Sequence, residues 1–95
     1  MDEFAYRGRL FDFYGELLSP RQKELLEMQL ERDMSLSEIA EEAGISRQGA
    51  HSAIQKALGQ LEEYEQKLGL MARFDRIKRE LDGLKAALGR IEEDL

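Results

Sequence analysis

The chain contains no cysteine and no tryptophan, a single proline and one histidine in 95 residues. Without cysteine there is no disulfide framework and no thiolate metal site, and the absence fits a reducing compartment. The lone histidine, His51, has neither the second histidine nor the carboxylate that a metal site asks for. No glycine-rich phosphate loop of either common pattern occurs. With no catalytic constellation to be found, the expectation is a protein that is not an enzyme and holds no cofactor or metal. No apolar run approaches a membrane span, and the start, MDEFAYRGRL, is too charged and mixed for a secretion signal. A cytoplasmic protein with no membrane insertion is expected. Scarce proline, beside 42% apolar and 36% charged residues, suits helix and leaves little room for strand.

What is present is organised around Ser35 to Ile54, SLSEIAEEAGISRQGAHSAI. Ser35 with Glu38 three residues on forms a capping box, which satisfies two otherwise unpaired backbone donors at a helix start. Ile39, Ala40 and Ala43 give that helix an inward stripe. Gly44 stops it, because glycine reaches the left-handed conformation at least cost. Ile45 plugs the corner, and Ser46 caps a second helix whose inward Ala50, Ala53 and Ile54 are compact enough for two helices to cross closely. Two short helices joined by a tight turn are thus predicted, with Arg47, Gln48, His51, Ser52 and Gln55 facing outward. Such motifs place these positions against base edges in the major groove, where Arg47 suits guanine and Gln48 adenine. The same geometry also serves to bind proteins, and any solvated helix face holds Arg, Gln and Ser.

The net charge of −6 weighs against a nucleic-acid partner unless the basic groups are segregated. They are partly so. Residues 1–45 hold eleven acids and five bases, whereas residues 46–95 hold nine of each. From Arg47 to Gln60 the only formal charges are Arg47 and Lys56, so the presumed reading surface is locally positive. Ser46, Arg47, Gln48, His51, Ser52, Gln55 and Lys56 are therefore the candidate nucleic-acid contacts.

Along the rest of the chain, Glu3 to Leu18 reads as a helix with a wide apolar face of Phe4, Leu10, Phe11, Phe13, Tyr14, Leu17 and Leu18. Ser19-Pro20 with Gln22 is a second capping box, opening a helix through about Glu31. The second helix of the motif continues past Ile54 on a seam of Ala50, Ile54, Ala57, Leu61, Tyr64 and Leu68, about six turns, and Gly69 ends it. A further heptad follows at once: Leu70, Phe74, Ile77, Leu81, Leu84, Leu88, Ile91 and Leu95. That helix can lie antiparallel to the one before it across Gly69. At 1.5 Å per residue it extends nearly 37 Å, longer than the core it would pack on. Leu84, Leu88, Ile91 and Leu95 are accordingly expected to meet a second subunit. Glu80 and Lys85 would attract across a parallel pair, but the flanking charges do not fix the direction.

The run LSPRQKELLEMQLERDMSLSEIAEEAGISRQGAHSAIQKALGQLEEYEQKLGL resembles, at the level of motif, the DNA-reading region four of bacterial sigma factors. Over nearly the whole chain it is similar to the YlxM family, small bacterial helix-turn-helix proteins associated by gene neighbourhood with the signal recognition particle and its receptor. The SRQ helix start and LEEYEQKLGL are the specific part of that match. The resemblance implies an all-α fold: a helix-turn-helix core of the sigma region four kind without a wing, a long recognition helix and a C-terminal heptad helix. It implies one domain over 1–95, with an N-terminal helix in 1–18, the core in 19–68 and the last helix in 70–95. It also implies a regulatory, DNA-binding role linked to the signal recognition particle pathway, with DNA, RNA or components of that particle as partners. Two features depart from the usual pattern: Ala50 stands where a bulkier β-branched residue is common, and Gly49 sits early in a helix, where glycine is unfavourable. A pliable helix start or a close backbone approach would each account for Gly49. Two readings stay open, a homodimeric regulator of nucleic acid and an adaptor that binds only protein.

Overall fold

The computed structural model describes residues 2–95, five α-helices with no strand among them. The first, α1 (Glu3–Tyr14), starts at Asp2, whose side chain accepts the Ala5 N–H at 2.8 Å. It ends four residues before the expected Leu18. Tyr14 leaves the helical region (φ −123°, ψ 0°), and Gly15–Leu17 form one 3₁₀ turn. Two features sit beside the break. Ser19 precedes Pro20 and is held extended by the proline ring, and the Phe11 ring lies 3.1 Å from where a Cβ on Gly15 would stand. The apolar face is consequently narrower than the sequence suggests. Leu10, Phe11, Tyr14 and Leu18 are buried, whereas Phe4 and Leu17 are turned out to solvent.

Helix α2 (Pro20–Leu30) has both halves of its capping box, Ser19 with Gln22. Leu25, Leu26 and Met28 point inward from it. The link to the next helix turns at Asp33, which adopts a left-handed φ of 52°. Helix α3 (Leu36–Ala43) again opens on a complete capping box, Ser35 with Glu38. It closes at Gly44 (φ 70°), where the Ile45 N–H reaches the Ala40 carbonyl at 3.0 Å and the Gly44 N–H reaches Glu41 at 3.3 Å. Those two bonds are a Schellman closure, which a left-handed residue makes possible.

Helix α4 (Arg47–Leu68) is the axis on which α1, α2 and α3 all pack. Its Ala50, Ile54, Ala57 and Leu61 are essentially inaccessible, as the expected seam requires, and Leu58 joins them. Ala40 and Ala50, both buried, mark the crossing of α3 over α4. The seam runs out at its far end, where Tyr64 is only half-buried and Leu68 is exposed. Gly69, at φ 62°, then ends the helix as anticipated.

The last helix, α5 (Leu70–Asp94), does not fold back along α4 but leaves the core, giving the molecule dimensions of 65 × 26 × 20 Å. Its first turn is directed by Glu65. That carboxylate accepts the Tyr14 hydroxyl at 2.5 Å and the N–H groups of Met71 (3.0 Å) and Ala72 (3.2 Å), while the Tyr14 oxygen accepts the Leu70 N–H at 3.0 Å. With the start of α5 pinned this way, Met71 enters the core and Leu70 is left 41% exposed, so the buried anchor lies outside the heptad. Only α1 steadies the next turn. Phe13 meets Phe74 edge-on at 5.7 Å, and Arg9 forms a two-pronged ion pair with Asp75 at 2.8 and 3.1 Å. Burial alone would raise the Glu65 carboxyl, but the Tyr14 hydroxyl, the two N–H donors and the Arg9 charge outweigh it and hold the group below the usual carboxylate range.

Two outcomes are expected. Ala40→Leu overpacks the α3–α4 crossing, and Gly44→Val forces a β-branched residue to positive φ, each at about 1–3 kcal/mol in urea unfolding; wild-type stability in both variants would contradict the crossing. For Glu65 the folded carboxyl lies below its ordinary value, so its contribution is complete above about pH 4.3 and is lost as pH falls through the lowered value. The stability gap between wild type and Glu65→Gln should therefore hold steady above about pH 5 and close below it. A gap unchanged down to pH 3 would contradict that role.

Candidate nucleic-acid interface

The helix-turn-helix leaves one end of α4 free of the core. Ser46 is extended (φ −71°, ψ 157°), and its Oγ accepts the Gly49 N–H at 2.9 Å, so the expected cap is formed. The cap also accounts for Gly49. A Cβ there would stand 3.0 Å from Ser46 Oγ, and the hydroxyl would have to give way. The close approach is thus to the helix's own cap. The amides of Arg47 and Gln48 lie in the first turn, outside the helix's own hydrogen-bond ladder, at the positive end of the helix dipole.

From this tip runs a stripe of exposed residues: Arg47, Gln48, His51, Ser52, Gln55 and Lys56, with Ser46 exposed before them. Spacings of one and four confine these side chains to half of the helix circumference, while Ala50, Ile54 and Ala57 occupy the other half and are buried. Neither Arg47 nor Lys56 enters an ion pair among the described residues. All seven candidate residues fall on one surface that nothing in the fold covers.

Neighbouring helices modify that surface in ways that local sequence does not reveal. Arg21, from the first turn of α2, donates to the Ala43 carbonyl at 3.1 Å and so stands beside the turn of the motif as a third cation. Its separation of 22 residues from Ala43 hid it, although its place after Ser19-Pro20 on an exposed helix start was readable. On α3, Glu38 is engaged in its capping box and Glu42 is paired with Arg32 at 3.1 and 3.3 Å. Of these two acids, Glu42 is therefore offset by a cation, while Glu38 stays charged at the start of α3. The four expected dimer positions, Leu84, Leu88, Ile91 and Leu95, lie on the projecting part of α5, far along the chain from this stripe, and each is more than half exposed.

These features define the class: an all-α protein with a helix-turn-helix whose second helix is extended, followed by a projecting C-terminal helix. The family model described as "Putative helix-turn-helix protein, YlxM / p13 like" matches residues 1–94. This chain belongs to that family, UPF0122. A UPF0122 protein of Thermoanaerobacter sp. strain X514 is 42% identical over 92 residues, covering 97% of this chain and 79% of the relative. One from Symbiobacterium thermophilum is 48% identical over 83 residues, 87% of this chain and 78% of its own, and one from Exiguobacterium sibiricum is 43% identical over 85 residues, 90% and 80%. No helix among the described residues is long and apolar enough to cross a membrane.

The crowding at Gly49 has a measurable consequence. In a helix interior Gly→Ala gains about 1 kcal/mol, but here the new methyl would push on the capping hydroxyl. Gly49→Ala should therefore stabilise a Ser46→Ala background by several tenths of a kcal/mol more than it stabilises the wild type, as a double-mutant cycle in urea measures. Equal effects in the two backgrounds would mean that Gly49 and the cap are not coupled.

Proposed function

We propose that this chain is a regulatory protein that binds duplex DNA through the N-terminal half of α4. The observation that carries the reading is the coincidence of exposure, charge and geometry on one stripe. Arg47, Gln48, His51 and Ser52 occupy the positions from which a recognition helix reaches base edges, and no acid falls between Arg47 and Gln60 in a chain of net charge −6. Arg47 suits paired hydrogen bonds to guanine and Gln48 to adenine. Ser46, Gln55, Lys56 and Arg21 serve the phosphates, which position the helix without reading sequence. So few cations give modest affinity and a shallow salt dependence.

A second reading draws on the same charge. Residues 1–45 hold eleven acids against five bases, a balance that suits a protein partner better than a polyanion. Under this reading the chain is an adaptor of the protein-targeting machinery, and the gene context implied by the resemblance to the YlxM family points to components of the signal recognition particle.

Fluorescence anisotropy on random duplex DNA and on RNA, from low to physiological salt, separates the two. Binding that weakens with salt is expected on the duplex. Lys56→Ala with Arg21→Ala should flatten the slope of log affinity against log salt by about two, since each phosphate contact contributes roughly −0.9. An unchanged slope would move the contact surface elsewhere. No binding to DNA or RNA at low salt, together with copurification of targeting components that survives nuclease, would replace the DNA reading with the adaptor.

A further inference from the structure

Beyond Phe74 the apolar edge of α5 meets nothing else in the chain. From Phe74 to Ile91 its six heptad residues are between 48% and 58% exposed, and Leu95 is 99% exposed. Covering this edge would remove roughly 700 Å² per chain from water, close to the ~800 Å² per partner of a standard stable interface. A soluble monomer rarely leaves so long an apolar stripe uncovered. The stripe is continuous, so an interface confined to Leu84–Leu95 would leave Phe74, Ile77 and Leu81 as exposed as before.

We infer that the whole edge of α5 is the interface with a second copy of this chain, running antiparallel. Two observations select the occupant and its direction. First, the heptad is self-complementary when reversed. Phe74 of one copy then lies opposite Ile91 of the other, Ile77 opposite Leu88, and Leu81 opposite Leu84, while Leu95 falls opposite the half-exposed Leu70. Second, charge is graded along the helix. Asp75 is taken by Arg9, so Arg73, Arg76, Lys78 and Arg79 crowd the first half with no ion pair among the described residues, while Glu92, Glu93 and Asp94 close the far end. Antiparallel pairing lays the acidic end of each copy beside the basic start of the other, with Asp94 across from Arg73. Parallel pairing would set Arg73 beside Lys78 and the three terminal acids beside their own copies, with Glu80 and Lys85 as its one attractive flank. The reversed arrangement has one unfavourable flank, Lys78 opposite Lys85, against which the Arg73–Asp94 contacts and the opposed helix dipoles act. It also keeps the two folded cores at opposite ends, and Phe74, although it meets Phe13 of α1, keeps half of its surface free for Ile91 of the other copy. Equal numbers of bases and acids on α5 set it apart from the basic amphipathic helices that lie on anionic membranes. In this register the two Gly69 hinges stand about 40 Å apart. The inference is independent of whether α4 binds DNA.

The absence of native cysteine makes the test direct. Sedimentation equilibrium of the full chain should give twice the 11.0 kDa of one copy. Leu81→Glu with Leu88→Glu should return it to the single mass with the core still folded by circular dichroism, because neither side chain is buried in one copy. For direction, Ile77→Cys and Leu88→Cys chains are oxidised separately and mixed. A disulfide is expected in the mixture and not in either variant alone. A monomeric full chain, or a dimer that survives the two glutamates, would overturn the interface. A disulfide formed by Ile77→Cys alone would overturn the antiparallel direction.

Discussion

The position of every element after Leu68 depends on one carboxylate. Glu65 stands on the last full turn of α4, accepts a hydroxyl from α1 and two amides from α5, and so joins three helices within a few ångströms. A helix start without a side-chain cap needs acceptors from elsewhere. Gly69 supplies none. By taking the Met71 and Ala72 N–H groups, Glu65 does for α5 what serine does for α2, α3 and α4, and in doing so it sets the angle at which the helix departs. Tyr14 completes the arrangement from the core side. It is almost fully buried as a ring, yet its hydroxyl donates to Glu65 and accepts from Leu70, so none of its polar capacity is stranded.

This junction is where local sequence and structure part. The capping boxes at Ser19 and Ser35, the glycine stops at Gly44 and Gly69, and the cap at Ser46 were all legible, because each is a contact between residues three or four apart. The buried stripe of α4 was legible for the same reason. The path of α5 was not, since it follows from contacts spanning 51 to 66 residues, Tyr14 with Glu65 and Arg9 with Asp75. Heptad spacing reports that a face is apolar but not what covers it. The spacing also misled over Met71, which is buried one step off the seam because Glu65 fixes the rotation of the first turn. Leu17 failed in the opposite sense: a helical pattern ran on through Tyr14, where the α-helix gives way to a 3₁₀ turn that leaves Leu17 exposed.

The candidate interface was legible as a set of residues and illegible as an electrostatic surface. That Arg47 to Lys56 face outward follows from the burial of Ala50, Ile54 and Ala57 on the other half of the helix. Arg21 reaching the Ala43 carbonyl, and Glu42 held by Arg32, are arrangements between helices. They bear on the sign of the local field more than on stability, because exposed ion pairs stabilise by well under 1 kcal/mol in most cases.

A division of labour between the two ends of the chain follows from these geometries. The motif end is built from small residues and caps, which hold α3 and α4 close while spending few side chains, so that half of α4 remains available. The α5 end is the reverse: rich in large apolar residues, poor in intramolecular contacts beyond Asp75, and joined to the core through its first two turns. Gly83 and Gly89 add to this, each weakening the helix by about 1 kcal/mol relative to alanine in a segment with no tertiary packing of its own. In the antiparallel pair inferred above, this 25-residue helix would gain from a second copy the packing that its own chain does not supply. Because the hinge at Gly69 is clamped by Glu65 and steadied by Arg9 and Phe13, the start of α5 is held at a defined angle to α4, and in the inferred pair the spacing between the two motifs would follow from the rigidity of that junction.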